Sequence, residues 1–376
     1  MKTIQRAAAL AGMALLLGAC AAPNRGESEV KNPRFAPLKI AGLAGRPSWW
    51  QVRPAEITEA CRNVKRGRAE VIATAPLGYP VYALFYGECP PAAGTANWSA
   101  GSASDDPDAY LGKAPRKQTV VWVSGFHGAE AEGVAAAMNL IHLLETGRDL
   151  RGKSRDSLLE LVKNYNLIII PCLNMDGRSI SPDHLNGVTK DEFLNASQGS
   201  WRDGRMIGWR GSKAHFPLPL DQVAYPGGYP NSEGFNPMHD AEPGNIRTAE
   251  VRGLLNLVGK YGVDLLINFH SYSFDPAILP PGEERALFLY EAINRALYEA
   301  KFRKEPVNPK PQLSSAVNFN TLIPLTSGGM AITLECPVAQ NFSFDDFVDI
   351  NLLTLEAALK TGTERPFFDR QANFNP

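Results

Sequence analysis

Residues 119–130 read TVVWVSGFHGAE, a run of β-branched and apolar residues that ends in a glycine-rich turn. The run from Thr119 to Ser124 is typical of a strand that is buried on both faces. Two glycines in the turn permit a tight bend, so His127 and Glu130 can be directed at one point. Apolar residues then recur at helical spacing over residues 133–145. This stretch predicts a strand, a turn carrying a His-x-x-Glu pair, and a helix.

Polar side chains end two later apolar strands in the same way. His270-Ser271-Tyr272 follows the strand at residues 263–269, and Glu335 ends the strand at residues 330–334. Two histidines and a carboxylate form a ligand set that zinc binds, and a further carboxylate can act as a base. A buried, hydrogen-bonded histidine and a salt-bridged glutamate are the ordinary alternatives for each residue taken alone.

Strands alternate with helices along most of the chain. This alternation predicts an α/β fold with a mixed, mostly parallel central sheet and helices on both faces. Residues 90–116 are expected to form a surface loop, and residues 177–242 a long, functional irregular segment. Further strands are expected at residues 71–73, 81–86 and 167–171, and further helices at residues 249–260, 285–301 and 347–360.

The N-terminal residues predict export. A basic start and a short apolar run precede Leu17-Gly18-Ala19-Cys20, which resembles a bacterial lipobox. We expect a signal peptide at residues 1–19, lipidation of Cys20, a tether at 20–48 and one catalytic domain at 49–376. The expected location is therefore the bacterial cell envelope, lipid-anchored and periplasmic. An ordinary signal peptide with an incidental cysteine is the alternative.

Charge and cysteine content restrict the partners. A net charge of −1 gives no electrostatic case for binding nucleic acid. In an oxidising compartment, Cys61 could pair with Cys89, while Cys172 and Cys336 could pair or remain buried thiols.

Six motifs occur in the order of a known family. They are His127/Glu130, Pro171–Gly177 (PCLNMDG), Trp209-Arg210, Gly234–Asp240 (GFNPMHD), His270-Ser271-Tyr272 and Thr333-Leu334-Glu335. In this order they resemble the zinc carboxypeptidases of the carboxypeptidase A and B type, over roughly residues 68–360.

The resemblance implies a role for each matched residue. His127, Glu130 and His270 would be the ligands of one zinc ion, and Glu335 the general base. Asp176 would orient His127, and Arg210 would polarise the scissile carbonyl. A nearby Trp201-Arg202 pair competes with Trp209-Arg210, and an Asx-turn is the alternative for Asp176.

The match departs from the family at the substrate-binding positions. Met238-His239 replaces an Asn-Arg pair that binds the terminal carboxylate, and a histidine is a weaker carboxylate ligand than a guanidinium. Carboxylate binding could move to an arginine elsewhere or be absent. The substrate-binding candidates and the alternative arginines are His239, Asn236, Arg178, Tyr272, Arg205 and Arg247.

These features predict an extracytoplasmic zinc-dependent hydrolase that cleaves peptide bonds. The substrate is expected to be a peptide or a cell-wall peptide, and the partner a membrane reached through the lipid anchor. The alternatives are a cell-wall amidase or endopeptidase of the same fold, a hydrolase of non-peptide acyl compounds, and a non-catalytic binding lipoprotein.

Overall fold

The computed structural model describes residues 29–112, 117–272, 275–338 and 342–367. A seven-stranded sheet crosses the molecule in the order β1-β2-β4-β3-β7-β9-β8. The strands are β1 (Arg68–Thr74), β2 (Pro80–Tyr86), β3 (Gln118–Ser124), β4 (Tyr165–Ile170), β5 (Ser200–Trp201), β6 (Val223–Tyr225), β7 (Leu265–Ser271), β8 (Ala277–Ile278) and β9 (Met330–Cys336).

The centre of the sheet is parallel and its edges are antiparallel. Strands β4, β3, β7 and β9 run parallel, while β1 and β2 at one edge and β8 at the other run antiparallel. Strands β4, β3 and β7 are buried along nearly their whole length because both of their faces are covered, whereas β9 alternates buried and half-buried residues. The predicted mixed, mostly parallel sheet is confirmed.

Helices cover both faces of this sheet. Gly133 lies against Ser124 and Phe269 on one face. Tyr261 packs on Phe85, and strand pairing places Phe85 on the same face as Val121, opposite to Ser124. The helices are α1 (Pro54–Arg62), α2 (Trp98–Ala103), α3 (Pro107–Leu111), α4 (Glu132–Thr146), α5 (Asp156–Val162), α6 (Met175–Ile180), α7 (Lys190–Gln198), α8 (Gly208–Ala214), α9 (Ala249–Tyr261), α10 (Leu287–Glu299), α11 (Leu322–Ser327) and α12 (Phe344–Glu364).

Two segments are more ordered than the sequence predicts. The expected loop at 90–116 contains α2 and α3, each with an Asn or Asp side chain that caps its first turn. The long segment at 177–242 contains α7, α8 and the small β5–β6 sheet. Both pieces consist of short elements, whose periodicity is too brief to be recognised in sequence.

The described part of the predicted tether belongs to the folded domain, which corrects the domain boundary. Lys31 N donates to Leu77 O at 2.8 Å, and Leu38 N donates to Ile180 O at 2.9 Å. Leu38 and Ile40 also pack against a small apolar cluster. Although this segment has the composition of a linker, its few apolar residues are sufficient to hold it on the surface.

Several features bear on export. Cys20 and the predicted signal peptide lie outside the described residues. Cys61, Cys89, Cys172 and Cys336 are all buried free thiols, so neither of the possible disulfides is formed. Burial raises the pKa of the Cys61 and Cys172 thiols to about 12. Over the described ranges, the helices are all too short or too polar to cross a membrane.

Candidate metal centre

Three side chains converge at the carboxyl ends of β3 and β7. His127 Nδ1 lies 2.7 Å from Glu130 Oε1, and His270 Nδ1 lies 2.8 Å from Glu130 Oε2. One ligand atom from each residue lies within 4.8 Å of the others. All three side chains are buried, and imidazole and carboxylate are ligand types that suit zinc. The set therefore fits a zinc ion.

The turn that carries His127 is held by the segment after β4. Leu173 N donates to Ser124 O at 2.9 Å and Asn174 N donates to Gly125 O at 2.8 Å, which extends the pairing of the two parallel strands. The Asn174 side chain donates to Tyr229 O at 3.2 Å and accepts from Gly177 N at 2.8 Å. The PCLNMDG segment therefore builds the support of the metal site.

Gly128 allows this turn to approach α6 closely. A Cβ at this position would lie 2.0 Å from Gly177 C and 2.2 Å from Arg178 N, which are backbone atoms. Gly128 N donates to Gly228 O at 2.6 Å, and Gly128 O accepts from Arg178 Nη1 at 2.5 Å. The glycine is required by close packing here rather than by an unusual backbone angle.

Glu335 reaches the same site through strand register. It is paired with His270 across β7 and β9, so the two side chains leave the sheet side by side. Glu335 Oε2 is buried and makes no hydrogen bond to the described residues. An unpaired buried carboxylate oxygen is costly unless it has a functional partner such as water.

Burial and charge set opposing proton affinities in this cluster. Burial would raise the pKa of Glu130, but His127 and His270 together lower it. Burial raises the pKa of Glu335, opposed by His270 and reinforced by Glu130. Burial lowers the pKa of His127, whereas Glu130 raises that of His270 against the effect of burial. Glu130 is thus the ionised carboxylate, and Glu335 the carboxylate with the stronger hold on a proton.

A cavity of about 1070 Å³ opens over the cluster. His127, Glu130, His270 and Glu335 line its floor. The walls are rich in amides and hydroxyls, among them Gln198, Asn236, Ser314, Ser315, Asn318, Asn320, Thr321 and Thr333. Such walls can hydrogen-bond a peptide backbone.

The predicted partner of His127 is wrong. The Asp176 carboxylate accepts hydrogen bonds from Ser232 Oγ at 2.5 Å and from Leu77 N at 3.3 Å. His127 Nε2 instead makes no hydrogen bond to the described residues. Asp176 lies in the first turn of α6, where its side chain faces the chain around Ser232.

The predicted catalytic arginine is also misplaced. Arg210 is exposed on α8 and does not line the cavity, whereas its neighbour Trp209 does. Successive helix residues point about 100° apart, so a helix that turns Trp209 towards the cavity turns Arg210 away. Lys213, four residues after Trp209, lines the cavity instead.

The other arginines considered for carboxylate binding do not line this cavity. Arg178 is buried and donates to the carbonyls of Gly128, Ser181 and Pro182, so it holds the turn of His127. Arg205 is exposed and paired with Asp203, and Arg247 is exposed with its guanidinium over the Phe235 ring. Arg178 is therefore structural.

Asn236, His239 and Tyr272 do line the cavity. Burial and the nearby Lys213, His127 and His270 lower the pKa of His239 to about 4, so this histidine is uncharged at neutral pH. Tyr229 and Lys213 were missed by sequence reasoning. The Tyr229 ring lies 4.1 Å from the His127 ring, and the length of the irregular segment was the only signal for either residue.

A comparison with known protein families supports this fold and this metal site. The sequence model of the family described as zinc carboxypeptidase (Peptidase_M14) matches residues 94–286, slightly more than half of the chain. No curated protein matches.

Solved structures share the fold. A metallo-carboxypeptidase from Burkholderia cenocepacia superposes with a TM-score of 0.52 and 15% identity, covering 82% of this chain and 68% of that chain. A metallo-carboxypeptidase from Pseudomonas aeruginosa, solved in complex with (2-guanidinoethylmercapto)succinic acid, gives a TM-score of 0.51 and 13% identity over 82% and 68% of the two chains. Together with the family match, the His-Glu-His cluster identifies this chain as a zinc metallopeptidase that belongs to the zinc carboxypeptidase family.

Proposed function

We propose that this chain removes residues from the C-termini of peptides in the cell envelope, using one zinc ion. The observation that carries this proposal is the position of Glu335. It stands beside His270 at the end of the adjacent strand, and one of its oxygens enters the shared cavity without a protein partner. A ligand set with an uncommitted carboxylate beside it is the arrangement that metal-assisted hydrolysis requires.

His127, Glu130 and His270 would hold the zinc ion. Zinc in such a site lowers the pKa of a bound water and polarises a carbonyl group. Glu335 then accepts the proton of the attacking water and passes it to the leaving amine. Burial raises the pKa of Glu335, which makes it a stronger base than an exposed glutamate.

The second layer of the site would keep His127 in one orientation. Tyr229 packs against its ring, with the two ring centres 4.1 Å apart. A histidine ligand needs such contacts because the metal occupies only one of its ring nitrogens.

Cell-wall peptide is the second candidate substrate, with cleavage as an amidase or endopeptidase. The observation that favours it is the composition of the cavity wall, where no arginine occurs among the described lining residues. A guanidinium is the strongest side-chain partner for a terminal carboxylate, so its absence there leaves internal cleavage open.

The proposed location rests on the N-terminal sequence alone. The lipobox-like segment ending at Cys20 supports a lipid-anchored protein of the periplasm. Metabolic labelling with a fatty acid analogue tests this directly. Incorporation that disappears in Cys20→Ser supports the anchor, and equal incorporation in both chains excludes it.

Product analysis tests the reaction. The zinc-loaded protein is incubated with free-acid peptides, the same peptides as C-terminal amides, and cell-wall peptide fragments, and the products are read by mass spectrometry. Losses of single residues from the free acids alone support a carboxypeptidase. Internal cuts or cuts only in cell-wall fragments support the second candidate. A zinc-loaded protein without products would favour a binding lipoprotein.

A further inference from the structure

The cavity wall carries one full positive charge. Lys213 is the only Lys or Arg among the described residues that line the cavity, and it extends from α8. The two histidines on the floor interact with Glu130, and His239 is uncharged at neutral pH because its pKa is lowered to about 4. The charge that a substrate anion meets at this wall is therefore the ammonium of Lys213.

The Lys213 side chain has a defined position. Its Nζ lies 3.5 Å from the centre of the Trp209 ring, a cation–π distance. The two residues are four positions apart on α8 and so share one face of the helix, and both line the cavity. Trp209 is itself 55% exposed and Lys213 is exposed, so the ammonium on the indole remains open to solvent.

Among the residues that the structure describes, no carboxylate neutralises Lys213. The structure gives Lys213 no ion pair with the acidic side chains of the described ranges. The acidic residue Glu283, which also lines the cavity, is bound by Arg285 at 2.6 Å. Partial burial lowers the pKa of Lys213. Because Lys213 is exposed and pairs with none of the described carboxylates, its ammonium is available to a ligand.

Lys213 shares one cavity with the metal site. The zinc ligands, Glu335 and His239 all line the cavity that Lys213 lines. A peptide that lies across the cavity with its scissile bond near Glu335 would bring its end towards the wall formed by His239 and Lys213.

We propose that Lys213, held on the Trp209 ring, binds the free C-terminal carboxylate of the peptide substrate. This inference rests on the proposed function and specifies how an exopeptidase with an uncharged His239 selects a chain end. His239 would contribute a hydrogen bond, and Lys213 the charge. Because Lys213 is open to solvent, its effect is that of a partly exposed ion pair and weakens with salt.

Binding in the absence of turnover tests this role. In the zinc-loaded Glu335→Gln protein, calorimetry measures the dissociation constants of one peptide as the free acid and as the C-terminal amide. We expect the free acid to bind about fivefold more tightly or better, and this preference to fall as salt rises. Lys213→Met should bring the two constants together by weakening the acid alone, and Lys213→Arg should restore the preference.

Arg210→Met is the matched control, because it removes a positive charge from the same helix at a residue outside the cavity. It should leave the preference unchanged. Three results would each overturn the proposal. The preference could be lost in Arg210→Met, the acid and the amide could bind equally before any change at Lys213, or Lys213→Met could weaken both ligands equally.

Kinetic measurements on the protein that retains Glu335 distinguish two roles of the Lys213 ammonium, which are binding of the terminal carboxylate and stabilisation of the oxyanion. Binding of the terminal carboxylate predicts a higher KM for Lys213→Met with little change in kcat. A fall in kcat at constant KM would instead make Lys213 a stabiliser of the developing oxyanion and would contradict the proposal. An acid preference in a protein that hydrolyses nothing would support the role of Lys213 while refuting the proposed function.

Discussion

The two sides of the cavity are built differently. On the strand side, Glu130 and His270 are 5% and 4% exposed. Strand register places His270 beside Glu335, and Glu130 lies in the turn that follows β3. On the helix side, Trp209 is more than half exposed and Lys213 is exposed, and both lie on the short helix α8. Strand register fixes side chains tightly, whereas a seven-residue helix depends on its packing for its orientation. The chemistry therefore stands on the rigid side, and recognition on the adaptable side.

Zinc binding and hydrolysis should both be lost when one metal ligand on the strand side is removed. His270→Ala should lose zinc and all hydrolysis, because two remaining ligands do not hold the ion against solution. His215→Ala is the matched control, since this histidine is exposed and does not line the cavity. Zinc content by elemental analysis checks both variants. Full zinc occupancy in His270→Ala would show that another residue supplies the ligand.

Close packing beneath the strand side gives the next largest effect. Gly128→Ala places a methyl group 2.0 Å from Gly177 C and should lower the free energy of unfolding by about 1–3 kcal/mol, together with zinc affinity. Gly259→Ala is the control, because its methyl group would meet only Thr326 at 3.5 Å within a helix. That change should leave stability unaltered or raise it by up to about 1 kcal/mol. Thermal unfolding compares them, and equal melting temperatures would contradict the packing argument.

The support of the His127 ring gives a smaller effect that separates two candidate partners of this ligand. Tyr229→Ala should weaken zinc binding by about tenfold, since the ring of His127 loses the ring that packs on it. Asp176→Asn should leave zinc affinity nearly unchanged, because its carboxylate contacts Ser232 and Leu77. Competition with a zinc chelator measures both. The reverse order of affinities would restore the sequence-based assignment of Asp176.

The same division explains what sequence could predict. The central strands are predictable because apolar runs are visible in sequence. Such runs place His270 and Glu335 near the carboxyl ends of β7 and β9, and His127 and Glu130 in the turn after β3. The orientation of the side chains on the helix side could not be predicted from the sequence in this way. Trp209-Arg210 is recognisable as a pair, but which of the two residues faces the cavity depends on how α8 rotates against the sheet.

Composition misled in a different manner at the N-terminal segment. A region rich in Ala, Pro and Gly predicts a linker, yet Leu38 and Ile40 hold it on the domain. The predicted contact of Asp176 with His127 was wrong for a related reason. The Asp176 carboxylate binds Ser232, which is 56 positions distant in sequence. Contacts of this kind depend on the folded chain and leave no local pattern.

Zinc content and turnover measured together in Glu335→Gln test the central claim, that the strand side separates metal binding from proton transfer. The substituted amide keeps the shape of the side chain but cannot accept the proton of the attacking water. We predict one zinc per chain, as in the unmodified protein, with kcat lower by about 100-fold or more. Loss of zinc would make Glu335 a ligand, and retained turnover would show that another group is the base. Either result would contradict the account.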